Sequence, residues 1–523
     1  MFLIENEIIN NSINFKTYDL NNTKNKKIIN YLDLFNEFKK GGIFLIDNLN
    51  ISKNAIIDLC FRNNLKNIKL NEKLKDNEFQ IVNDTSNFYL IKIKKDKKIY
   101  EFRDLEKVTG GIDLKKINNN KILAIKNLVD NLIDLGLFGL TLGNSARRLW
   151  MFKFRGAVEV RGVRYNSENI NDDMLTYIQG TNNGGLNILN ERFKGVICKN
   201  TLSIDCNSLY GFIAENYNLP FGNPVFMTLN EYKNQSVYKT AIFKVLIKKA
   251  KIKSGFVPCW GLKLKGERIN KEYPSIFKDR ICFLWEHELK TYKKYYDINY
   301  SVMQVLAFKV RGKLLNPFID HFKEIKEKSE NKTQVMIAKR VIPAFIGKFG
   351  SNQIRVNELV DKNGEVAEIY SNESRDFYLP LYTFITSMSQ VYMIDFIQLF
   401  GIDNFIYTDT DSITAFSKAT AWEIIPFDPH KFGYFKIESK NKKFIALQTK
   451  VYAKEDIDGE IKNVASGVKI KKEKSCERFF KGVEFVFQIF TFEGGSIIPK
   501  IENRVVKIKN ERYNILKNER REK

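Results

Sequence analysis

The chain has 523 residues, and 85 Lys+Arg against 61 Asp+Glu leave a formal charge of +24. That length suggests roughly three domains with ample material for a core, and 44% hydrophobic with 28% charged residues is a globular balance that excludes wholesale disorder. No apolar run reaches the length of a membrane span, since Tyr382–Phe400 is broken by Thr386, Ser387, Gln390 and Asp395.

The acidic start, Met-Phe-Leu-Ile-Glu-Asn-Glu, lacks the basic and long apolar segments of a secretory signal, so none is expected. Three histidines (His287, His321, His430) argue against His-rich metal chemistry. Six cysteines without a Cys-x-x-Cys pair read as buried thiols in a reducing compartment. The charge excess points to a polyanionic partner, with nucleic acid the first choice. Its bland alternative is the Lys/Asn/Ile bias of an AT-rich genome.

In chain order, Tyr31–Lys40 is read as a helix and Gly41–Asp47 as a short buried strand. Lys121–Leu140 has helical spacing of Ile122, Ile125, Leu128, Leu132 and Leu135. A Gly-rich loop, Gly180-Thr-Asn-Asn-Gly184-Gly185, precedes an apolar strand, Leu202–Asp205, that ends in a carboxylate. Residues 225–316 mix strands with one amphipathic helix, Leu284–Tyr296, and Pro317–Phe349 reads as two helices. The turn signal Asp361-Lys-Asn-Gly364 predicts a hairpin over Glu358–Ser371. Asn404–Tyr407 and Ile413–Phe416 form a second hairpin with its acids in the turn. The tail, 504–523, has eight basic and three acidic residues and is expected to be a solvated helix or a loose basic end.

The chemistry concentrates in Thr408-Asp409-Thr410-Asp411. Residues i and i+2 of a strand share a side, and two such carboxylates at a turn suit one hard divalent cation. Asp205 offers a third carboxylate. Taken alone, each acid reads more readily as turn chemistry.

The flanking patterns change that weighting. Asp205-Cys-Asn-Ser-Leu-Tyr210 resembles motif A of the family B DNA polymerases, with Gly211 where proline is usual, and Tyr407-Thr-Asp-Thr-Asp-Ser412 resembles their motif C. Lys339–Gly350 resembles motif B, and Lys450-Val-Tyr452 matches the Lys-x-Tyr motif, all in the family's order. Asn183-Gly184-Gly185 is similar to the Tyr-x-Gly-Gly segment of the protein-primed branch from phages and linear plasmids, with Asn182 in place of the tyrosine, and Gly433-Tyr434 through Glu438 also fits.

The resemblance implies an α/β (α+β) right-hand polymerase with palm, fingers and thumb, preceded by a ribonuclease-H-like, exonuclease-like domain. The implied division is 1–147 degenerate exonuclease-like domain, 148–224 palm with motif A, 225–316 terminal-protein-region insertion 1, 317–352 fingers, 353–382 insertion 2 hairpin, 383–452 palm with motif C and Lys-x-Tyr, and 453–523 thumb and basic tail. It implies catalysis by Asp205, Asp409 and Asp411 with Mg²⁺ or Mn²⁺, the metal held at Asp205, Asp411 and the Cys206 position. Tyr210, Ser208, Lys339 and Gly347 would serve the incoming deoxynucleoside triphosphate, with Tyr210 excluding a ribose 2′-OH. Lys450, Tyr452, Gly184 and Gly185 would contact DNA. Implied partners are DNA template and primer, deoxynucleoside triphosphates and a terminal protein, with no membrane, in the cytoplasm or, for an organellar linear element, the mitochondrion.

Two departures qualify the expectation. Pro343, Ala344 and Ile346 replace the Asn, Ser and Tyr of motif B, and Pro343 is expected to kink its helix. In the N-terminal domain, Ser52 stands where the second exonuclease motif has a metal-binding Asp, the third motif falls on Ala124–Leu128, and Glu5-Asn-Glu7 is a poor first motif because no strand is expected to carry it. Proofreading is therefore expected to be lost. The alternative readings are a non-catalytic nucleic-acid-binding relative and a polymerase repurposed for untemplated synthesis.

Overall fold

The computed structural model describes residues 1–9, 12–70, 72–83, 88–154, 170–263, 271–351, 354–361, 366–373, 378–465, 475–491, 500–510 and 512. The chain divides into two units, one made of Met1–Arg164, Pro317–Phe377 and Ile489–Glu502, the other of Tyr165–Asn316, Tyr378–Gln488 and Asn503–Lys523. Among the described residues no helix is long and apolar enough to cross a membrane.

The first unit holds an eight-stranded mixed sheet. Its order is Asn22–Asn30, Ser12–Asp19, Phe2–Ile9, Gly42–Ile46, Lys98–Asp104, Phe88–Lys95, Glu78–Asn83, Lys66–Asn67. Phe44 and Phe102 are fully buried at its centre, their rings stacked 4.9 Å apart. The sheet corrects one expectation. Phe2–Ile9 is a strand, parallel to Gly42–Ile46 with Ile4 opposite Ile46, so Glu5 and Glu7 lie on an established strand. The helix Lys121–Asp134 buries Ala124 and Leu128 completely, leaving neither as a ligand.

Two further helices of this unit, Asn316–Lys328 and Lys332–Phe349, are joined by a short turn in which Asn331 caps the second through its side chain. Aromatic packing fixes Lys332–Phe349 against Leu142–Lys153, with Phe345 5.6 Å and Phe349 5.8 Å from the Trp150 ring. One helix runs through Pro343, where a kink is expected from the sequence. A proline removes the bond to the carbonyl four residues back, here that of the exposed Lys339, which water can satisfy. Lys339, Pro343 and Gly347 share the exposed side, whereas Ile346 is buried.

The hairpin Ile354–Val360/Val366–Glu373 leans on the N-terminal sheet: Lys69 Nζ reaches Glu368 at 2.6 Å and the Leu70 amide donates to the Tyr370 hydroxyl at 3.0 Å. Its turn signal, 361–364, falls largely outside the described residues.

The second unit is built on two antiparallel sheets. A seven-stranded sheet has the order Ile461–Ala465, Val451–Asp456, Phe435–Gln448, Cys198–Cys206, Ser412–Phe416, Phe405–Asp409, Asn187–Leu189. The helix Leu379–Asn404 packs with Leu209–Asn216 beside it. A four-stranded sheet orders Leu219–Met227, Tyr296–Arg311, Thr240–Ile252, Ile276–Trp285, with the amphipathic helix Glu286–Tyr295 between its last two segments in the chain. The tail reading is corrected in part, since Lys500–Ile508 is a strand paired with Val483–Thr491. Residues 513–523 lie outside the described residues.

Candidate active site

Strand order brings the acids together. Cys198–Cys206 lies between Ser412–Phe416 and Phe435–Gln448, so Asp205 stands opposite Ser412 on one side and Lys436 on the other. Phe405–Asp409 and Ser412–Phe416 form a tight hairpin whose loop is Thr410-Asp411, with Thr410 in the left-handed region at φ 60°. Local bonds shape the loop. Thr408 Oγ1 donates to the Ser412 carbonyl at 2.6 Å, the Asp411 amide to the Asp409 carbonyl at 2.8 Å, and the Asp409 amide to Ser412 Oγ at 3.3 Å. The Cys206 amide donates to the Asp411 carbonyl at 2.7 Å, which ties the loop to the end of the Asp205 strand.

The three aspartates are crowded. Burial, then the facing Asp205 and Asp409 carboxylates, push the Asp411 carboxyl up to about 7. The other two acids have cationic partners: Lys436 Nζ lies 2.7 Å from Asp205 Oδ1 and Lys450 Nζ 3.0 Å from Asp409 Oδ1. Lys450 occupies a left-handed turn position, φ 62°, and its amide donates to the Tyr407 hydroxyl at 2.8 Å. Tyr452 packs 5.3 Å from the Tyr407 ring, so the Lys-x-Tyr segment is keyed into the hairpin that carries the acids.

A divalent cation fits the chemistry of this donor set, because a partly protonated buried acid facing two others marks a site short of positive charge. Among the described residues no three His, Cys, Asp or Glu side chains already stand in ligating geometry, and two of the acids are ion-paired to lysines instead. Cys206 requires a correction as a ligand side chain. It is fully buried, strand alternation turns it away from Asp205, and burial with the nearby Asp411 and Asp205 raises its thiol far above the range in which a thiolate forms.

Tyr210 lies in the first turn of the helix Leu209–Asn216 just after the acid strand; Ser208, at φ 51° and ψ 48°, makes the turn between them. Burial raises the Tyr210 hydroxyl, and Tyr382, Asp411 and Asp409 lie near enough to add to that effect. Asn207 locks the corner through its amide to the Tyr434 carbonyl at 2.8 Å and its side chain to the Pro429 carbonyl at 2.9 Å.

Gly184 and Gly185 belong to the support of the acid hairpin. The Thr410 amide donates to the Leu186 carbonyl at 2.6 Å, and a Cβ on Gly185 would sit 2.5 Å from Thr410 Oγ1. Lys271 donates to the Asn183 carbonyl and Gln390 to the Gly184 carbonyl. Burial pushes Lys271 down to about 8 and Glu288 up to about 8, so the interior beneath this loop favours neutral groups. His287 is half-buried, its Nε2 2.7 Å from Ser387 Oγ.

Lys339 and Gly347 lie in the first unit, on the exposed side of Lys332–Phe349. In the same unit Ser52 is fully buried in a helix, its hydroxyl 3.4 Å from the Asn48 carbonyl. Glu5 and Asp47 share Lys121, at 2.7 and 3.0 Å. Sequence reasoning missed Lys436, Tyr382 and this lysine-bridged acid pair. The only prior signal for Lys436 was its place in the Gly433–Glu438 segment.

A sheet that gathers three aspartates at the end of one strand and in an adjacent hairpin turn defines a polymerase-type palm. Residues 140–429 match the family DNA polymerase type B, organellar and viral, and the chain belongs to that family. It is 26% identical over 301 residues to the DNA polymerase of Streptococcus phage Cp-1, covering 54% of this chain and 52% of that one. It is 29% identical over 332 residues to the DNA polymerase of Bacillus phage phi29, covering 57% and 56%. The matched stretch thus spans about half the length of these curated relatives. The structure of Phi29 DNA polymerase complexed with primer-template DNA and incoming nucleotide substrates superposes with a TM-score of 0.78 at 21% identity, over 97% of this chain and 99% of that chain, which shows the shared fold.

Proposed function

We propose that the chain is a template-directed DNA polymerase, primed by a protein hydroxyl, that replicates a linear plasmid, phage or virus-like genome without proofreading. The observation that carries the reading is the convergence of Asp205, Asp409 and Asp411 on one sheet in a chain of this family. Asp205 and Asp411 would hold divalent cations, with Asp409 beside them; when bound, such ions activate an attacking hydroxyl and stabilise departing pyrophosphate. The chain's own residues frame that chemistry. Tyr210 closes the floor beside the acids against a 2′-hydroxyl, Lys450 holds Asp409 and borders the primer end, and the Gly184-Gly185 loop fixes the height of the acid turn.

Protein priming is supported by the likeness of the Asn183-Gly184-Gly185 segment to that of the protein-primed branch. Loss of editing is supported by Ser52 and Leu128, both buried and unable to hold a metal, and by the lysine set between Glu5 and Asp47. Primer extension with Mg²⁺, in the presence and absence of template, tests the reading. Products that copy the template support it. Products of the same length without template favour untemplated synthesis, for which the Pro343 and Gly347 face of the fingers helix, poor in polar contacts, is the supporting feature. No product with either arrangement, using fully folded protein, favours the non-catalytic relative.

A further inference from the structure

Resting on that reading, we propose that Lys436 is a positioning residue that supplies positive charge to Asp205 in the metal-free protein and thereby weakens divalent-cation binding at the acid cluster. The geometry is specific. Asp205 and Lys436 are direct partners on neighbouring antiparallel strands, so their side chains emerge on the same face, and Nζ lies 2.7 Å from Oδ1. The strand neighbours of Lys436, the buried Phe435 and the exposed Ile437, have no charge to share with it. On its other side Asp205 faces the hairpin that carries Asp409 and Asp411. Asp409 has its own lysine, Lys450, 3.0 Å away. The cluster therefore carries two internal cations against three carboxylates, and this balance lets it assemble before any metal arrives.

The two lysines differ in what explains them. Lys450 belongs to the Lys-x-Tyr segment and is locked by its backbone to Tyr407. Lys436 lies within the Gly433–Glu438 segment, and its ion-pair partner is Asp205. An ammonium ion-paired to a metal-binding carboxylate opposes a divalent ion twice. It occupies one carboxylate oxygen, and its charge repels the ion across a few ångströms. At the effective dielectric of a partly exposed site, that repulsion amounts to a roughly ten- to hundredfold loss of affinity. An ordinary exposed ion pair would have no such effect on metal binding, and its own contribution to stability would be small.

The test uses the full chain without DNA and Mn²⁺ alone as the probe, with binding followed by calorimetry and by the electron paramagnetic resonance of free Mn²⁺. Lys436→Met is expected to bind Mn²⁺ at least about tenfold more tightly than wild type. It should also melt lower in EDTA and gain more on Mn²⁺ saturation. Lys436→Arg keeps the charge and should behave as wild type. Lys436→Gln, prepared with Mn²⁺ and then stripped, serves if the methionine variant does not fold without metal. Unchanged or weaker Mn²⁺ affinity in the neutral variants overturns the inference. Primer extension by wild-type protein from the same preparations separates the two failures. Extension with unaltered affinity in the variants overturns the role of Lys436 alone, whereas wild type that neither binds Mn²⁺ nor extends a primer overturns the polymerase reading with it.

Discussion

Replacing Asp411 by Asn tests the electrostatics of the site without deleting its shape. In the folded chain this carboxyl keeps its proton up to about 7, against 3.8 for a free side chain, because it is buried and faces Asp205 and Asp409. Between those two values the folded state binds more protons than the unfolded chain, so stability is full below about pH 4 and is lost as pH rises through 7. At about 1.4 kcal/mol per tenfold change in proton affinity the gap corresponds to about 4 kcal/mol, and residual solvent access brings it to about 2–4 kcal/mol. In EDTA the wild-type melting temperature should therefore fall between pH 4 and 7.5. The neutral, isosteric Asp411→Asn variant should match wild type at the acid end and exceed it by about 2–4 kcal/mol at pH 8. Saturating Mn²⁺ should reverse the order at pH 8, since a metal rewards the ionised carboxylate and the amide offers it less. Melting followed by calorimetry or circular dichroism across this range decides the matter. Parallel pH curves for the two proteins, or a variant less stable than wild type at pH 8 without metal, would refute the reasoning.

Asp205→Ala should abolish nucleotide incorporation in a primer-extension assay while changing affinity for primer-template DNA only a few-fold, because affinity comes mainly from phosphate contacts; a variant that still incorporates nucleotides removes Asp205 from the catalytic set. Tyr210→Val should raise ribonucleotide incorporation relative to deoxyribonucleotide, and unchanged discrimination would mean the ring only packs. Gly185→Ala forces a methyl to within 2.5 Å of Thr410 Oγ1, so it should lower kcat about ten- to a hundredfold with the melting temperature little changed; a normal kcat would show that the turn yields freely. Single-stranded DNA labelled at its 5′ end should stay full length with Mg²⁺ or Mn²⁺ and no nucleotides, and a ladder lost on Glu5→Gln or Asp47→Asn would show that this acid pair still recruits metal.

What was legible in the chain was local. The Thr408–Ser412 turn stands between two β-prone runs, and Asp205 closes an apolar strand; alternation and turn chemistry suffice to place each. The helices Asn316–Lys328 and Lys332–Phe349 are equally legible, because their apolar spacing and the Asn331 cap agree. The opening strands were not. Phe2–Ile9 mixes acids with apolar residues, and Ser12–Asn30 is rich in Asn and Lys, which are poor strand formers. They form strands because Phe2–Ile9 pairs on one side with the buried Gly42–Ile46 and on the other with Ser12–Asp19, and that tertiary pairing overrides propensity. The strand Lys500–Ile508 was hidden the same way, its charges drawing attention from Ile501, Val505 and Val506.

The site adds a sharper version of the same limit. Each aspartate announces itself through its own neighbours in sequence, but the partner that governs its charge does not. Lys436 lies more than two hundred residues from Asp205 and is one of 85 Lys+Arg, and its place in the Gly433–Glu438 segment does not by itself name its partner. It becomes specific only once Phe435–Gln448 pairs with Cys198–Cys206 in a register that puts residue 436 opposite residue 205. The same holds for Lys121, which meets Glu5 and Asp47 only because two strands run parallel with Ile4 beside Ile46. In both sites a lysine has been brought by sheet register to a pair or trio of acids, and the outcomes differ through what surrounds it. At Asp205 the buried third acid, Asp411, crowded by the other two and pushed up to about 7, leaves the cluster short of positive charge despite its two lysines, which favours a divalent ion. In the N-terminal unit Ser52 and Leu128 are buried and uncharged, and one ammonium, Lys121, already faces both Glu5 and Asp47. The basic character of the chain thus acts at two scales: as a field for a polyanion over its surface, and as single lysines whose strand register sets how much room each acid cluster leaves for a metal.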